Sequence, residues 1–536
     1  MENNLTKIIN WQNRALKTPE FSFIQKLEKE FPQARVYLVG GAVRDLILGR
    51  ETKDFDFVVA KVAAESLEKF LSVLGRVNLV GKSFGVFKFI PLLSKSLSRA
   101  CRGKGLGEVM EVTNKNRSFK TPLNLPLERG EKNALDPIDI ALPRTEHAGM
   151  SGGYKDFNVQ SDKDLAIEED LSRRDFTINA LAWDFKNQKL IDEFGGLKDL
   201  ENKTIKAIGD PKIRFQEDYT RLLRAIRFAC QLDFMIEAHT LKTIADKAEK
   251  IITLPFERIG EELTKIIMSN KAEDGIRLLQ KIGLLKILIP ELEAGFGVSQ
   301  NKAHIYDIFE HSVRALGAGA KHNFKLEIRW AALLHDIGKP ITKEGQGDDS
   351  TFYNHDQVGA KIARTILRRL GYSHEIISSV VHLVRYHMFY YALDIVSDAG
   401  VRRLLSRLGK KNIDDFINVR ICDRLGMGRP KAKPWKLIEL ERRFKEVQLD
   451  PITPKMIKLN GNELMEILKI KPGPRVGLIL NALLGEILED PKKNDSDYLA
   501  ARAKEFHKLN DEELKQLNPD VKFYEEERKR ELHREK

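Results

Sequence analysis

The chain is predicted to be an α+β protein, with a small mixed sheet near the amino terminus and helices from there to the end. Two observations predict this. Short runs rich in β-branched and aromatic residues crowd the first third: VYLVGG from Val36, DFDFVVA from Asp54, FGVFKFIPLL from Phe84 and PIDIALP from Pro137. From about Thr220 onward apolar residues recur three or four apart, as in RLLRAIRFACQL, ERIGEELTKIIM and GAKIARTILRRLG, which is the spacing of amphipathic helices. No fixed-period repeat runs through the chain.

At 536 residues the chain exceeds one hydrophobic core. Its pattern divides it into an amino-terminal helical segment (1–33), a sheet-bearing head (34–185), a helical neck and body (186–300), a histidine-rich helical domain (301–430) and a helical tail region (431–536). The head carries a Lys/Arg/Gly/Ser-rich stretch at about 94–133 that reads as an inserted loop. Hydrophobic content of 42% and charged content of 31% fit a soluble globular chain. No run of about 18 apolar residues is present, so no membrane partner is expected. Three cysteines far apart, Cys101, Cys230 and Cys422, suggest neither disulfides nor a cysteine metal site, and reduced cytosol is the expected compartment. Lys plus Arg (90) exceed Asp plus Glu (78), for a net charge of +12, which favours a polyanionic partner. Oligomeric state is left open.

The elements that carry chemistry follow in chain order. VYLVGG reads as a buried strand and Ala42–Gly49 (AVRDLILG) as the helix behind it. Gly40 and Gly41 at that junction would offer bare N–H groups and a helix N-terminus to phosphate. Asp54 and Asp56 alternate; on a strand both would project to one face and grip the same hard cations. Taken alone, such a pair is more often two exposed acids. In LSRRDFTINALAWD the adjacent Arg173 and Arg174 lie on an apolar background and call for an anionic partner. The plainer alternative is a surface helix start capped by Asp170 or Ser172.

In EDYTR, Asp218 and Arg221 are three apart and would share a helix face, beside Glu217. A carboxylate next to a guanidinium complements the amino donor and ring-nitrogen acceptor shared by cytosine and adenine, whereas guanine and uracil present the reverse order. An ordinary stabilising helix pair is the competing reading. Eight of the twelve histidines fall between His304 and His387. Imidazoles and carboxylates on packed helices suit Mg²⁺, Mn²⁺, Fe or Co, and metal-bound water can hydrolyse a phosphoester.

LVGGAVRDLILG, DFDFV, RRDFTINALA, GDP and EDYTRLLRAIRF, in that order across residues 34 to 290, resemble the class II nucleotidyltransferases, that is, bacterial CCA-adding enzymes and poly(A) polymerases. The resemblance implies a polymerase beta superfamily head in which Asp54 and Asp56 hold Mg²⁺, with Asp139 the candidate third carboxylate. It implies that Gly40, Gly41, Arg44, Arg173 and Arg174 serve the nucleotide's phosphates and that Asn179 lies near the ribose. It assigns Glu217, Asp218 and Arg221 to base recognition, with Arg224 a second donor, and His147–Gln160 to a flexible switching loop. The expected partners are CTP, ATP and the tRNA 3′ end. The ordered set His311, His335-Asp336, Asp423 resembles the HD phosphohydrolase superfamily. There Asp336 would bridge two metals, with His311, His335 and Asp423 at the first and His355 and His387 at the second; His382 competes with His387. The function so implied is template-independent addition of C, C and A, with a metal phosphohydrolase attached. The alternatives are a poly(A) polymerase or partial CC- or A-adding enzyme, and a phosphohydrolase whose head only binds nucleotide.

Overall fold

The computed structural model describes residues 2–52, 54–80, 86–92, 137–148, 157–301, 305–388, 396–429 and 431–519, so the 94–133 insert and the charged carboxy-terminal stretch lie outside the described residues. Two compact units form, Met1–Leu254 and Pro255–Lys536, with the division inside the segment read as neck and body.

In the amino-terminal unit the strands are β1 (Arg35–Val39), β2 (Asp56–Ala60), β3 (Gly75–Val80), β4 (Val86–Pro91), β5 (Ile138–Ala141), β6 (Arg144–Ala148), β7 (Phe157–Ser161), β8 (Ala182–Asp184) and β9 (Lys189–Ile191). Seven of them make one mixed sheet in the order β3-β4-β5-β2-β1-β8-β9, while β6 and β7 pair as a separate ribbon. Val36, Leu38 and Val39 on β1 and Phe57 to Val59 on β2 are buried, as central strands require. Strand β2 is antiparallel to β1 but parallel to β5.

The amino-terminal helical segment holds two helices, Glu2–Ala15 and Ser22–Glu30. They cover the sheet: Trp11 stacks on Phe55 at 5.5 Å, and Phe23 meets Phe57 edge-on at 5.4 Å. Gln12 accepts a hydrogen bond from Trp183 Nε1 (2.6 Å) and donates to the Phe185 carbonyl, so the helices are fastened to the sheet by polar bonds as well. Strand β8, within ALAWD, gave no separate strand signal in the sequence; its alternation is hidden because Ala182, Trp183 and Asp184 are all buried.

Helices make up the described part of the second unit. Within it Ile308–Lys321, Leu326–Leu334, His355–Arg369, His374–Tyr386 and Ile413–Gly426 pack as a bundle. Arg329, fully buried, donates to the carbonyls of Ile267 (2.9 Å), Ser269 (3.0 Å) and Phe324 (2.8 Å). A buried cation is tolerated there because it satisfies carbonyls at the C-terminal end of the helix Phe256–Ile267. This ties that helix to the bundle.

Candidate active sites

The glycine turn and the acids meet on one side of the head sheet. Gly40 has a φ of 73°, a conformation that disfavours any Cβ, and it opens the helix Gly41–Leu48. Arg174 occupies the space a side chain there would need: a Cβ on Gly40 would lie 2.5 Å from Arg174 Nη1. Asp56 is felt by that same arginine. Loss of surrounding water pushes its carboxyl pKa up, Arg174 pulls it down, and Asp139 and Asp54 push it up again.

Asp139 stands opposite Asp56 in the parallel β2–β5 register. The expectation that Asp54 and Asp56 alternate along one strand is corrected: β2 begins at Asp56, and Asp54 lies in the segment leading into it. The Phe55 carbonyl in that segment already accepts from the Asp139 amide at 3.3 Å. Three carboxylates therefore gather from two strand ends, and such a set of hard oxygen donors beside a glycine turn fits divalent cations.

The alternative that Asp170 or Ser172 caps a helix start is also corrected. Both lie inside the helix Ile167–Ser172, whose N-cap position is held by Ala166. Asp170 is fully buried and takes Arg173 Nη2 at 2.8 Å and Arg174 Nη2 at 3.6 Å. Arg44 is committed inside the chain, with Nε and Nη2 on the two Asp45 oxygens (2.9 Å each) and Nη1 on Asn179 Oδ1 (2.6 Å). Asn179 passes the chain on, donating from Nδ2 to Asp175 Oδ1 at 3.0 Å. Asp175 Oδ2 accepts from Arg224 Nε at 2.7 Å. Burial works to raise the Asp175 carboxyl, but Arg224, Asn179 and Arg221 outweigh it and hold it down at about 2. Asp175 is the hub of this network. The third letter of the RRD triplet was its only signal.

The shared helix face proposed for Asp218 and Arg221 does not exist. The helix Pro211–Glu217 ends before Asp218, a new one starts at Thr220, and Asp218 Oδ1 accepts from the Thr220 amide at 2.9 Å. Arg221 pairs with Glu217 instead (2.6 Å) and also donates to the carbonyls of Arg214 and Arg173. The tip of the switching-loop segment, residues 149–156, lies outside the described residues, and its flanks are the β6–β7 ribbon.

In the second unit the histidines converge on Asp336. His311 Nε2 and His335 Nε2 lie 3.3 and 3.2 Å from Asp336 Oδ2, and His355 Nε2 and His387 Nε2 lie 3.5 and 3.6 Å from Asp336 Oδ1. Asp423 Oδ1 closes the first group, 3.3 Å from His311 Nε2. The ring nitrogens on the far side are used: Nδ1 of His335, His355 and His387 each meets the carbonyl three residues earlier, at 2.7–2.8 Å. Such bonds aim Nε2 at a metal. Nε2 of His355 and of His387 is buried with no hydrogen-bond partner in the protein, a place a cation would fill. Burial drives His355 down to about 3, so it stays neutral and keeps its lone pair. At His335 burial also works downward, but Asp336 and Asp423 push it up to about 10. His382 is not in this cluster; its Nε2 meets the Leu408 carbonyl at 2.9 Å. Sequence reasoning missed Lys339, whose Nζ donates to Asp336 Oδ2 (2.6 Å) and Gln300 Oε1 (2.7 Å).

Residues 36–97 and 108–206 match the family model "Poly A polymerase head domain", residues 233–296 match "Probable RNA and SrmB- binding site of polymerase A", and residues 308–425 match "HD domain". The chain is 34% identical over 339 residues to the A-adding tRNA nucleotidyltransferase of Deinococcus radiodurans, covering 60% of this chain and 76% of that one. It is 32% identical over 365 residues to the CC-adding tRNA nucleotidyltransferase of Thermus thermophilus, covering 66% and 79%. The multifunctional CCA protein of Acinetobacter baumannii is 29% identical over 450 residues, covering 81% and 95%. The fold is similar to that of the Bacillus stearothermophilus CCA-adding enzyme solved with CTP, with a TM-score of 0.60 at 22% identity, covering 91% of this chain and 96% of that one.

Proposed function

The chain belongs to the tRNA nucleotidyltransferase family, and from that premise we propose that it adds C, C and A to the tRNA 3′ end from CTP and ATP. The observation that carries this reading is the Asp56–Asp139 pairing facing the Gly40 turn under Arg174. Asp54, Asp56 and Asp139 would hold Mg²⁺, which when bound activates the primer hydroxyl and steadies departing pyrophosphate. The primer's 3′ oxygen then bonds to the α-phosphorus, the bond to pyrophosphate breaks, and the hydroxyl proton leaves to solvent. The Gly40–Gly41 turn with Arg173 and Arg174 receives the triphosphate. Arg44 and Asn179 act through the Asp175 network, as positioning groups for the phosphate and ribose end. Glu217, Asp218, Arg221 and Arg224 read the base. Asp218 contributes the carboxylate oxygen it does not spend on Thr220, and Arg221 the N–H groups left over from Glu217 and the carbonyls.

A second reading is a partial adder, favoured by the higher identity to the A-adding and CC-adding relatives. Extension of two tRNAs, one lacking CCA and one ending in CC, with CTP and ATP separately and together, decides between them. Extension of both tRNAs to full CCA supports the first reading. Long adenylate tails, or no extension of either tRNA, would sink both.

The HD centre is assigned to metal-dependent phosphoester hydrolysis, using Mg²⁺, Mn²⁺, Fe or Co. His311, His335 and Asp423 would hold one metal and Asp336, His355 and His387 the other, with Asp336 Oδ2 also lying against His311 and His335. A metal held there would supply acidification of water; in the hydrolysis the water oxygen bonds to phosphorus, the ester P–O bond breaks, and the water's proton passes to the leaving oxygen. Lys339 lies within reach to steady Asp336.

A further inference from the structure

Phe228, on the helix Thr220–Leu232, is 7% exposed and keeps company that a buried ring seldom has. The guanidinium carbons of Arg227, Arg44 and Arg224 lie over its ring, 4.3, 5.2 and 5.5 Å from the centroid. Arg44 and Arg227 are themselves buried. A ring that only filled the core would sit among apolar groups, because a guanidinium is costly to take out of water. The electron-rich face of a ring attracts cations, and does so more strongly where water is excluded.

Two of these arginines are the ends of one hydrogen-bond chain. Arg44, on the helix Gly41–Leu48, donates to Asn179 at 2.6 Å, and Asn179 donates to Asp175 at 3.0 Å. Asp175 in turn accepts from Arg224 at 2.7 Å. The Phe228 ring meets both ends and closes the chain into a circuit. Arg224 and Phe228 stand four apart on one helix and so share a face, whereas Arg44 arrives from behind the glycine turn. The ring is also held at the middle of the chain. Phe176 meets it edge-on at 5.9 Å, and the Phe176 amide donates to Asp175 Oδ1 at 2.8 Å.

Resting on the nucleotide roles given above to Arg44, Asn179 and Arg224, we propose that Phe228 is a positioning residue for the incoming nucleotide. Its ring holds Arg44, at the phosphate and ribose end, and Arg224, at the base end, at one fixed separation. Two like charges would otherwise favour standing further apart, at the expense of the bonds through Asn179 and Asp175.

The test grades the ring face and leaves its shape nearly alone. Full-length chain is prepared by nonsense suppression with phenylalanine or its mono-, di- or trifluoro derivative at position 228, each fluorine weakening the attraction for cations. The KM for CTP on tRNA lacking CCA, and the Kd of CTP with Mg²⁺ by equilibrium dialysis, are expected to rise in steps, reaching about fivefold at three fluorines. The kcat should stay within about twofold and the urea midpoint should hold, whereas a purely structural role would move the midpoint and leave both constants alone. Phe228→Leu, apolar without a ring face, should raise both constants at least as far. Constants that stay flat across the fluorine series, or in Phe228→Leu, overturn the proposal. If the wild type extends no tRNA, the nucleotidyltransferase reading falls, and the CTP Kd alone decides: stepwise weakening upholds the role of the ring, and a flat series ends it. A wild type that binds no CTP overturns both.

Discussion

Asp139 is the register partner of Asp56 across parallel strands β2 and β5, so a carboxylate 83 positions later in the chain returns to the side of the first. Strand pairing, and not proximity in sequence, builds the acidic set of the head.

This pairing predicts that Asp139→Ala falls with Asp56→Ala in tRNA extension. A loss of about 100- to 1,000-fold is expected for either, the range for removing one oriented electrostatic contact in an active site. HD-centre hydrolysis should be unchanged in both. An Asp139→Ala chain that extends tRNA at the wild-type rate would remove it from the site.

Asp175 makes the head's stability depend on pH. Its folded pKa, about 2, lies below the ordinary carboxylate value, so its contribution is fully present above the unfolded pKa and is lost as pH falls through the folded one. That contribution is about 2 kcal/mol at neutral pH, and roughly half should remain at pH 3. Urea unfolding followed by tryptophan fluorescence should show Asp175→Asn less stable at pH 7, with the gap to wild type narrowing between pH 4 and pH 2. A gap that widens on acidification would contradict the network.

The two candidate histidines of the helix His374–Tyr386 and its C-cap should separate cleanly. His387→Ala is expected to lose bound metal, counted by elemental analysis, together with hydrolysis. His382→Ala should keep the metal content and stay within about twofold in rate, because its imidazole meets a backbone carbonyl away from the cluster.

Base choice should rest unequally on Asp218 and Arg221. Asp218→Ala is expected to admit UTP or GTP while extension continues, since one of its oxygens is not engaged by the Thr220 amide. Arg221→Ala should slow extension and destabilise the head by about 2 kcal/mol, because it leaves the Arg214 and Arg173 carbonyls without this donor and Glu217 with Arg214 alone. The readouts are misincorporation on tRNA ending before CCA and urea midpoints. Strict C and A selection by Asp218→Ala would remove that residue from recognition.

Arg329→Met tests the buried clamp of the second unit. Loss of donors to the Ile267, Ser269 and Phe324 carbonyls should cost about 3 kcal/mol, read as a lower urea midpoint. A variant as stable as wild type would show that those carbonyls find other partners.

The amino-acid order alone determined the strand after Arg35, the glycine turn, the acidic DFD, the twin arginines, the helical remainder and the histidine-aspartate set, because each is written in local spacing and residue type. Tertiary structure alone decided where a helix stops and which partner a charged group takes. Asp218 falls at a break between two helices, so Arg221 turned to Glu217, and Arg44 took Asp45 and Asn179 instead of remaining free. Packing likewise places His387, and not His382, beside Asp336. Periodicity gives a helical face to within a residue or two, whereas ligation and ion pairing turn on a few ångströms set by the packing of distant segments.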